Sequence, residues 1–233
     1  DVLGTEFDTE KRMTVLTYED VKGNAAIRTY IQRADESLTA LGFTEHSFAH
    51  VTAVAEKAGY ILETLGYPAR TVELVKIAGF LHDIGNLVNR VDHSQSGAVM
   101  AFRLLDNLQC DPEEIATIVT AIGNHDEGTG LPVNAVSAAL ILADKSDVRR
   151  SRVRNKDMAT FDIHDRVNYS VERSEVLLDV PGRTVTLSLS INTQVCAVMD
   201  YFEIFLQRML LCRRAAEALS LKFRLEINGQ VLL

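Results

Sequence analysis

Apolar residues recur at helical spacing through the first two thirds of the chain, and no other feature constrains the fold as much. The third of these segments is apolar on nearly every side, which is typical of a helix at the centre of a bundle. No segment before about residue 168 alternates as a strand does, so we predict an all-α bundle. The predicted helices span about residues 24–41, 45–65, 71–82, 94–108, 112–122 and 134–150.

The pattern changes near residue 168. Two strands are predicted at residues 176–180 and 184–191, then a long amphipathic helix at about 193–219, and Asn228-Gly229 predicts a type I′ turn between two last strands. We therefore expect a mainly α fold, in which a helical domain at residues 18–165 precedes a small C-terminal α+β (ββαββ) unit at residues 166–233. The polar, aperiodic residues 1–17 are predicted to form a flexible arm.

The formal net charge of the 233-residue chain is -8. An acidic surface disfavours a nucleic-acid polymer as partner, whereas a small anion can still bind where metal ions or arginines make a site locally positive. We interpret the three cysteines as buried free thiols of a reducing compartment, because no CxxC pair occurs. With no apolar run of about 20 residues and no visible signal peptide, we expect a cytoplasmic protein without a membrane partner.

Several polar residues stand where burial would require a partner. His82 and Asp83 end the apolar third helix, and Asp144 lies in an otherwise apolar stretch. Burying such groups is costly unless they are paired or bind a metal. Imidazole and carboxylate ligands together suit first-row transition metals. We therefore expect one or two divalent ions, among Mn, Fe, Zn, Co and Mg, as the cofactor.

The order of these residues resembles the H…HD…D signature of the HD-domain metal-dependent phosphohydrolases. The segment FLHDIG around His82 is similar to the family's LHDIG segment, and the segment HVTAVA that starts at His50 is similar to the helix of its first ligand. The resemblance spans about residues 43–152. It implies that a first metal is bound by His50, rather than by His46, together with His82, Asp83 and Asp144.

Two more histidines occupy sequence positions that resemble those of the additional ligands in HD proteins with two metals. His93 and His125 are the expected additional ligands, and Asp83 is a candidate to bridge the two ions. Asn124 departs from the pattern, because members of those groups commonly have a His-His pair where this chain has Asn124-His125. For His93 and His125 the alternative is a substrate contact or a position behind the ligands.

The resemblance implies hydrolysis of a phosphate ester or phosphoanhydride, on a nucleotide or another small phosphorylated molecule, by a metal-activated hydroxide. Asp83 and Lys145 are the expected catalytic residues. Lys145, Arg149 and Arg152 are the expected substrate-binding residues, because they form a local basic run and guanidinium groups match phosphoryl oxygens. The alternative for this run is a solvated helix end, where cations favour the helix dipole.

Four further residues have two interpretations each. Asp126 and Glu127 follow His125 and would serve as proton donor or metal-water partner, or else belong to a solvated turn. His46 is expected behind the ligands, with a role as a ligand as the alternative. His164 lies outside the signature and is expected to pack between the two domains, with a role in the site as the alternative.

Two other functions stay open. The chain could be a sensor that binds metal and nucleotide without turnover, with the C-terminal unit passing the signal to a partner. It could also be a di-iron oxygenase, which some HD proteins are. Exposed strand edges invite pairing, so a homodimer through the C-terminal unit is a further expectation.

Overall fold

The computed structural model describes residues 15–232, and helices dominate this part of the chain. It confirms the mainly α fold with a small α+β unit at the C-terminal end. The helices are α1 Tyr18–Gly23, α2 Ala25–Ala40, α3 Phe48–Thr64, α4 Ala69–Leu81, α5 His93–Asn107, α6 Pro112–Gly123, α7 Ala135–Lys145, α8 Ile163–Ser170 and α9 Val198–Ala218. The strands are β1 Val171–Asp179, β2 Thr184–Ile191, β3 Lys222–Ile227 and β4 Gln230–Val231; short 3-10 turns span Ile84–Leu87, Arg150–Arg152 and Met158–Thr160.

Side-chain caps explain where the predicted helices begin and end. Asn24, Asp111 and Asn134 each accept a hydrogen bond from a backbone N–H of the first turn of the helix that follows. Gly42 and Gly66 follow the ends of α2 and α3 with a φ of 78° each, a left-handed conformation that glycine adopts without strain. These polar and glycine signals are local, so the sequence located most of these boundaries within a few residues.

Two predicted helices are shorter in the structure. The helix predicted to reach Arg150 ends at Lys145, because the chain turns at Ser146 and a 3-10 turn carries Arg150. The helix predicted from Thr193 begins only at Val198. The short helices α1 and α8 were not predicted at all, since six and eight residues hold too few turns for a clear apolar period.

The centre of the bundle is formed by α3, α4 and α7, which pack against one another. The apolar character of α4 and α7 follows from this position, because neighbours cover them on nearly all sides. The arm predicted for residues 1–17 lies mostly outside the described residues. Its last part belongs to the fold: Leu16 is buried and its carbonyl accepts a hydrogen bond from Arg70, while Thr17 caps α1.

The C-terminal sheet has the order β1-β2-β3-β4. Strands β1 and β2 are antiparallel, β2 and β3 are parallel, and β3 and β4 form the predicted hairpin with positive φ at Asn228 and Gly229. Helix α9 is the crossover between β2 and β3, and it packs against both α7 and β3. The buried apolar residues of the bundle and of the sheet form one hydrophobic cluster, and the domain boundary at residue 165 stays a prediction.

The three cysteines are buried free thiols, as predicted; they are Cys110, Cys196 and Cys212. Among residues 15–232, each helix is too short or too polar to cross a bilayer.

Candidate metal centre

Six predicted ligands meet at one place in the bundle, although they come from five different segments. Each of the six residues is at least nine-tenths buried. Helix α3 contributes its ligand from its first turn, α5 from its first residue and α7 from its last turn, and the others lie just after α4 and α6. The six residues are His50, His82, Asp83, His93, His125 and Asp144.

The first group of ligand atoms joins two imidazoles to two carboxylates. His50 Nε2 lies 3.4 Å from Asp83 Oδ2 and 3.4 Å from Asp144 Oδ1. His82 Nε2 lies 3.3 Å from Asp83 Oδ2 and 3.5 Å from Asp144 Oδ1. Two nitrogen atoms and two oxygen atoms, from three segments of the chain, therefore face a common point.

The second group uses the other oxygen of the same aspartate. Asp83 Oδ1 lies 3.4 Å from His93 Nε2 and 3.9 Å from His125 Nε2. The two Nε2 atoms of His93 and His125 are 3.2 Å apart. Asp83 thus presents one carboxylate oxygen to each group, which is the arrangement expected of a residue that bridges two ions.

Backbone carbonyl groups fix the orientation of three of these imidazoles. The Nδ1 atoms of His82, His93 and His125 lie 2.7, 3.0 and 2.6 Å from the carbonyl oxygens of Gly79, Arg90 and Ile122. A carbonyl oxygen only accepts, so each Nδ1 carries the proton and, in the neutral ring, each Nε2 carries a lone pair. Metal-binding histidines commonly have such a partner on their far nitrogen.

The donor set fits divalent metal ions. The Nε2 atoms of His50 and His82 are buried without any hydrogen-bond partner in residues 15–232, and leaving such an atom unsatisfied is costly. The lone pairs of His93 and His125 face each other at 3.2 Å, which is unfavourable unless a cation lies between them. Three sets of ligand atoms, each within 4.8 Å of one another, can be drawn from the six residues.

The electrostatics of the cluster also favour cations. Burial lowers the pKa of His93 and, more strongly, of His125, so both rings are neutral. Burial lowers the pKa of His82 too, but the carboxylates of Asp83 and Asp144 outweigh it and raise that pKa to about 10. The two carboxylates thus make the cluster strongly attractive to positive charge.

Asp147 belongs to the site and was missed in the sequence. Its Oδ2 lies 2.7 Å from His50 Nδ1 and accepts a hydrogen bond from it. The carboxylate thus orients this imidazole as the backbone carbonyl groups orient the other three. The carboxylate is buried and paired with Arg149. Its position three residues after Asp144 was the available signal, since that spacing would bring two residues to the same side of the helix predicted to reach Arg150, although α7 itself ends at Lys145.

The predicted substrate-binding residues occupy different surroundings. Lys145 is buried, with Nζ 2.6 Å from Asp144 Oδ2, so it holds a ligand of the cluster. Arg149 is paired with Asp147 and with Glu45. Arg152 is buried, donates to the carbonyl groups of Glu45 and Asp147, and lines a cavity beside the cluster. Of the three, it alone lines that cavity.

The cavity has a volume of about 450 Å³ and lies between the bundle and helices α8 and α9. It includes Arg90, whose Nη1 is 3.9 Å from Asp83 Oδ1, and Arg208 of α9. Neither arginine was predicted, and the sequence holds no local signal for them. His46 and His164 also line this cavity, so the alternative interpretation of His164, a place near the site, agrees with its position.

The loop after α6 is held by ion pairs. Glu127 Oε1 accepts a hydrogen bond from Arg208 Nε at 2.7 Å and lies 3.7 Å from Lys145 Nζ. Burial raises the pKa of Glu127, but these two cations outweigh it and lower the pKa to about 2. Asn124 donates to the carbonyl group of Thr120, and Gly130 donates to that of Asp126.

Comparison with known proteins places these residues in a family. The model of the HD domain matches residues 47–203, well over half of the chain. An uncharacterized protein of Methanocaldococcus jannaschii is 27% identical over 185 residues, which cover 69% of this chain and 71% of that protein. The crystal structure of a predicted HD superfamily hydrolase from an uncultured Thermotogales bacterium is 27% identical, with a TM-score of 0.42, over 53% of this chain and 67% of the other.

Proposed function

The chain belongs to the HD domain family, and we propose that it is a metal-dependent phosphohydrolase acting on a nucleotide or another small phosphate ester or anhydride. One observation carries this proposal: Asp83 directs its two carboxylate oxygens to two separate pairs of histidine Nε2 atoms. Paired metal ions suit phosphoryl transfer because they can stabilise the attacking and the leaving oxygens together. The ligands would be the six residues that meet at the cluster.

Bound ions would supply the Lewis acidity that lowers the pKa of water and offsets charge on a phosphoryl group. The chain's own residues set the conditions for this chemistry. Asp83 holds the two ligand groups at a fixed separation, and Asp147 and Lys145 orient His50 and Asp144 from behind. The arginine side chains of the cavity provide positive charge for the oxygens of the substrate.

Phosphate release from a panel of nucleotides and generic phosphoesters tests the proposal. We expect turnover by the manganese-loaded protein without a requirement for oxygen. Asp83→Asn keeps the volume of the side chain but removes the negative charge that both groups of histidines face. It should lower the rate by more than about 100-fold, which exceeds the loss usually seen when a partner behind a metal ligand is altered. The exposed Asp157, whose substitution by asparagine keeps its cap on a 3-10 turn, is the matched control.

Two results would contradict the proposal. One is a folded, metal-loaded protein that releases phosphate from none of these compounds. The other is an Asp83→Asn protein that is as active as Asp157→Asn. Product formation that depends on oxygen would instead support the oxygenase alternative.

A further inference from the structure

The cavity beside the candidate metal centre has one wall formed by α8, which begins within the predicted helical domain, and by α9, which lies outside it. Helices α8 and α9 contribute His164, Phe205 and Arg208 to it, opposite residues of the bundle such as His46 and Arg90. Its volume of about 450 Å³ lies in the usual range for small-molecule pockets, about 300–1,000 Å³. The enclosure suits a compact metabolite and does not suit a polymer.

Three arginines line the cavity together with three carboxylates, those of Glu127, Asp162 and Asp165, and within residues 15–232 only Glu127 of these is paired with one of the arginines. Arg208 donates through Nε to Glu127, and its two terminal nitrogens donate no hydrogen bond within residues 15–232. Arg90 donates through Nη1 to Asn86, and Arg152 through Nε and Nη1 to backbone carbonyl groups, so Nη2 of each has no acceptor in the same part of the chain. Guanidinium nitrogens without acceptors in one cavity are suited to an anion with several oxygens.

Two contacts within the protein fix the position of the Arg208 guanidinium group. Its guanidinium group lies over the ring of Phe205, 4.2 Å from the ring centre, and Glu127 fixes its Nε. Glu127 in turn is linked through Lys145 to Asp144 of the metal centre. A chain of three contacts therefore relates Arg208 on α9 to a ligand on α7.

We propose that this cavity is the substrate pocket and that Arg208 of α9 is a specificity-determining residue that binds the phosphate of a small phosphorylated metabolite, such as a nucleoside monophosphate. The proposal deepens the phosphohydrolase function and rests on it. The rings of Phe43 and Phe205 and the imidazoles of His46 and His164 line the cavity and would contact the organic part. The C-terminal unit thereby completes the active site of the bundle.

Calorimetric binding of inorganic phosphate and of AMP to the manganese-loaded whole chain tests this role. Arg208→Ala should weaken the binding of both probes by about 10- to 100-fold, because a charge-assisted hydrogen bond is lost. Arg208→Lys keeps the charge but not the planar fork and should retain part of the affinity. Arg214 is exposed on the same helix and does not line the cavity, so Arg214→Ala should match the wild type.

Glu127→Gln separates phosphate binding from a structural role. If Arg208 only holds Glu127, removal of the Glu127 charge should weaken phosphate binding as Arg208→Ala does. If Arg208 binds phosphate, Glu127→Gln leaves its charge uncompensated and the affinity should stay equal or rise. Equal affinities of Arg208→Ala and wild type, or equal losses in Arg208→Ala and Glu127→Gln, overturn the proposal.

Turnover of p-nitrophenyl phosphate by the wild type is measured in parallel, so that the two proposals can fail separately. Phosphate binding that depends on Arg208 without turnover supports the pocket and contradicts the phosphohydrolase. Turnover together with probe binding that Arg208→Ala leaves unchanged supports the phosphohydrolase and contradicts the pocket. A metal-loaded wild type that binds neither phosphate nor AMP contradicts the pocket.

Discussion

Asp147 contacts His50 on the side of the imidazole that faces away from the other candidate ligands. Its carboxylate accepts from His50 Nδ1 at 2.7 Å and is itself held by Arg149 Nε at 2.9 Å. A carboxylate in this position fixes the tautomer of an imidazole and raises the basicity of its other nitrogen. The affinity of His50 for a metal ion should therefore depend on the charge of Asp147.

Asp147→Asn should weaken manganese binding by about 10- to 100-fold, the usual cost of altering an outer partner of a metal ligand. The amide keeps the size of the side chain but loses the charge that supports the imidazole. Titration calorimetry of the apo protein with Mn²⁺ measures the effect, and Asp157→Asn serves as the exposed control. Unchanged affinity in a folded Asp147→Asn protein would show that His50 does not depend on this carboxylate.

Individual residues differ in how far the sequence could identify them. His82, Asp83 and Asp144 were recognisable because an ionisable side chain in an apolar helix requires a partner, and the resemblance to a family added their order. Arg208 was not recognisable, since an arginine on an amphipathic helix is ordinary and its contact with Glu127 depends on how α9 packs. Local pattern indicates the candidate ligands but not the residues that approach them from distant segments.

At the scale of elements, α3 and α4 pack closely against each other at Gly79. A Cβ atom at this position would lie 2.7 Å from Ala55 Cα and 3.0 Å from Ala55 N. Those are backbone atoms of a buried helix, so they cannot move as the end of a flexible side chain can. The same two helices present His50 and His82, and the spacing of the helices therefore sets the spacing of the ligands.

Gly79→Ala should lower the free energy of unfolding by about 1–3 kcal/mol through overpacking, despite the gain of roughly 1 kcal/mol in helix propensity. It should also weaken metal binding, because separating the helices moves His50 away from His82. Urea denaturation and manganese titration measure the two effects. Gly123→Ala is the matched control: the nearest atom to its Cβ is Ala98 Cβ at 3.6 Å, and stability should hold or rise slightly.

A Gly79→Ala protein as stable as Gly123→Ala would show that α3 and α4 can separate at little cost.

The presence of these helices was predictable from the sequence, and the distance between them was not. The apolar period of each helix depends only on the residues of that helix, whereas the close approach at Gly79 depends on Ala55 of another helix. The unpredicted α8 illustrates the same limit, since its eight residues hold only about two turns.

At the scale of the whole molecule, α9 connects the sheet to the bundle. It packs against α7 and β3, and a hydrogen bond from Ser174 of β1 to the carbonyl group of Ser146 adds a second link. The ββαββ order was predictable from alternation and turn residues. The placement of this unit beside the metal centre was not, because it depends on contacts between segments that are far apart in the sequence.

Metal binding should contribute to the stability of the whole fold, because five elements meet at the cluster and an unfolded chain offers no such site. At a free metal concentration 100 times the Kd, a ligand that binds only the folded state stabilises it by about 2.7 kcal/mol. For a chain of this size that corresponds to a rise in Tm of about 5–10 °C. Differential scanning calorimetry with manganese and with EDTA measures it.

His82→Ala provides the internal comparison for that measurement. It removes an Nε2 atom that is buried without a hydrogen-bond partner in residues 15–232, so its Tm should respond far less to manganese. Its Tm in EDTA should also fall, because the carboxylates of Asp83 and Asp144 raise the pKa of His82 to about 10 and removal of the imidazole leaves them buried without that partner. Equal shifts in the two proteins would mean that manganese stabilises the fold by binding elsewhere, and the proposal that this cluster is the metal site would be wrong.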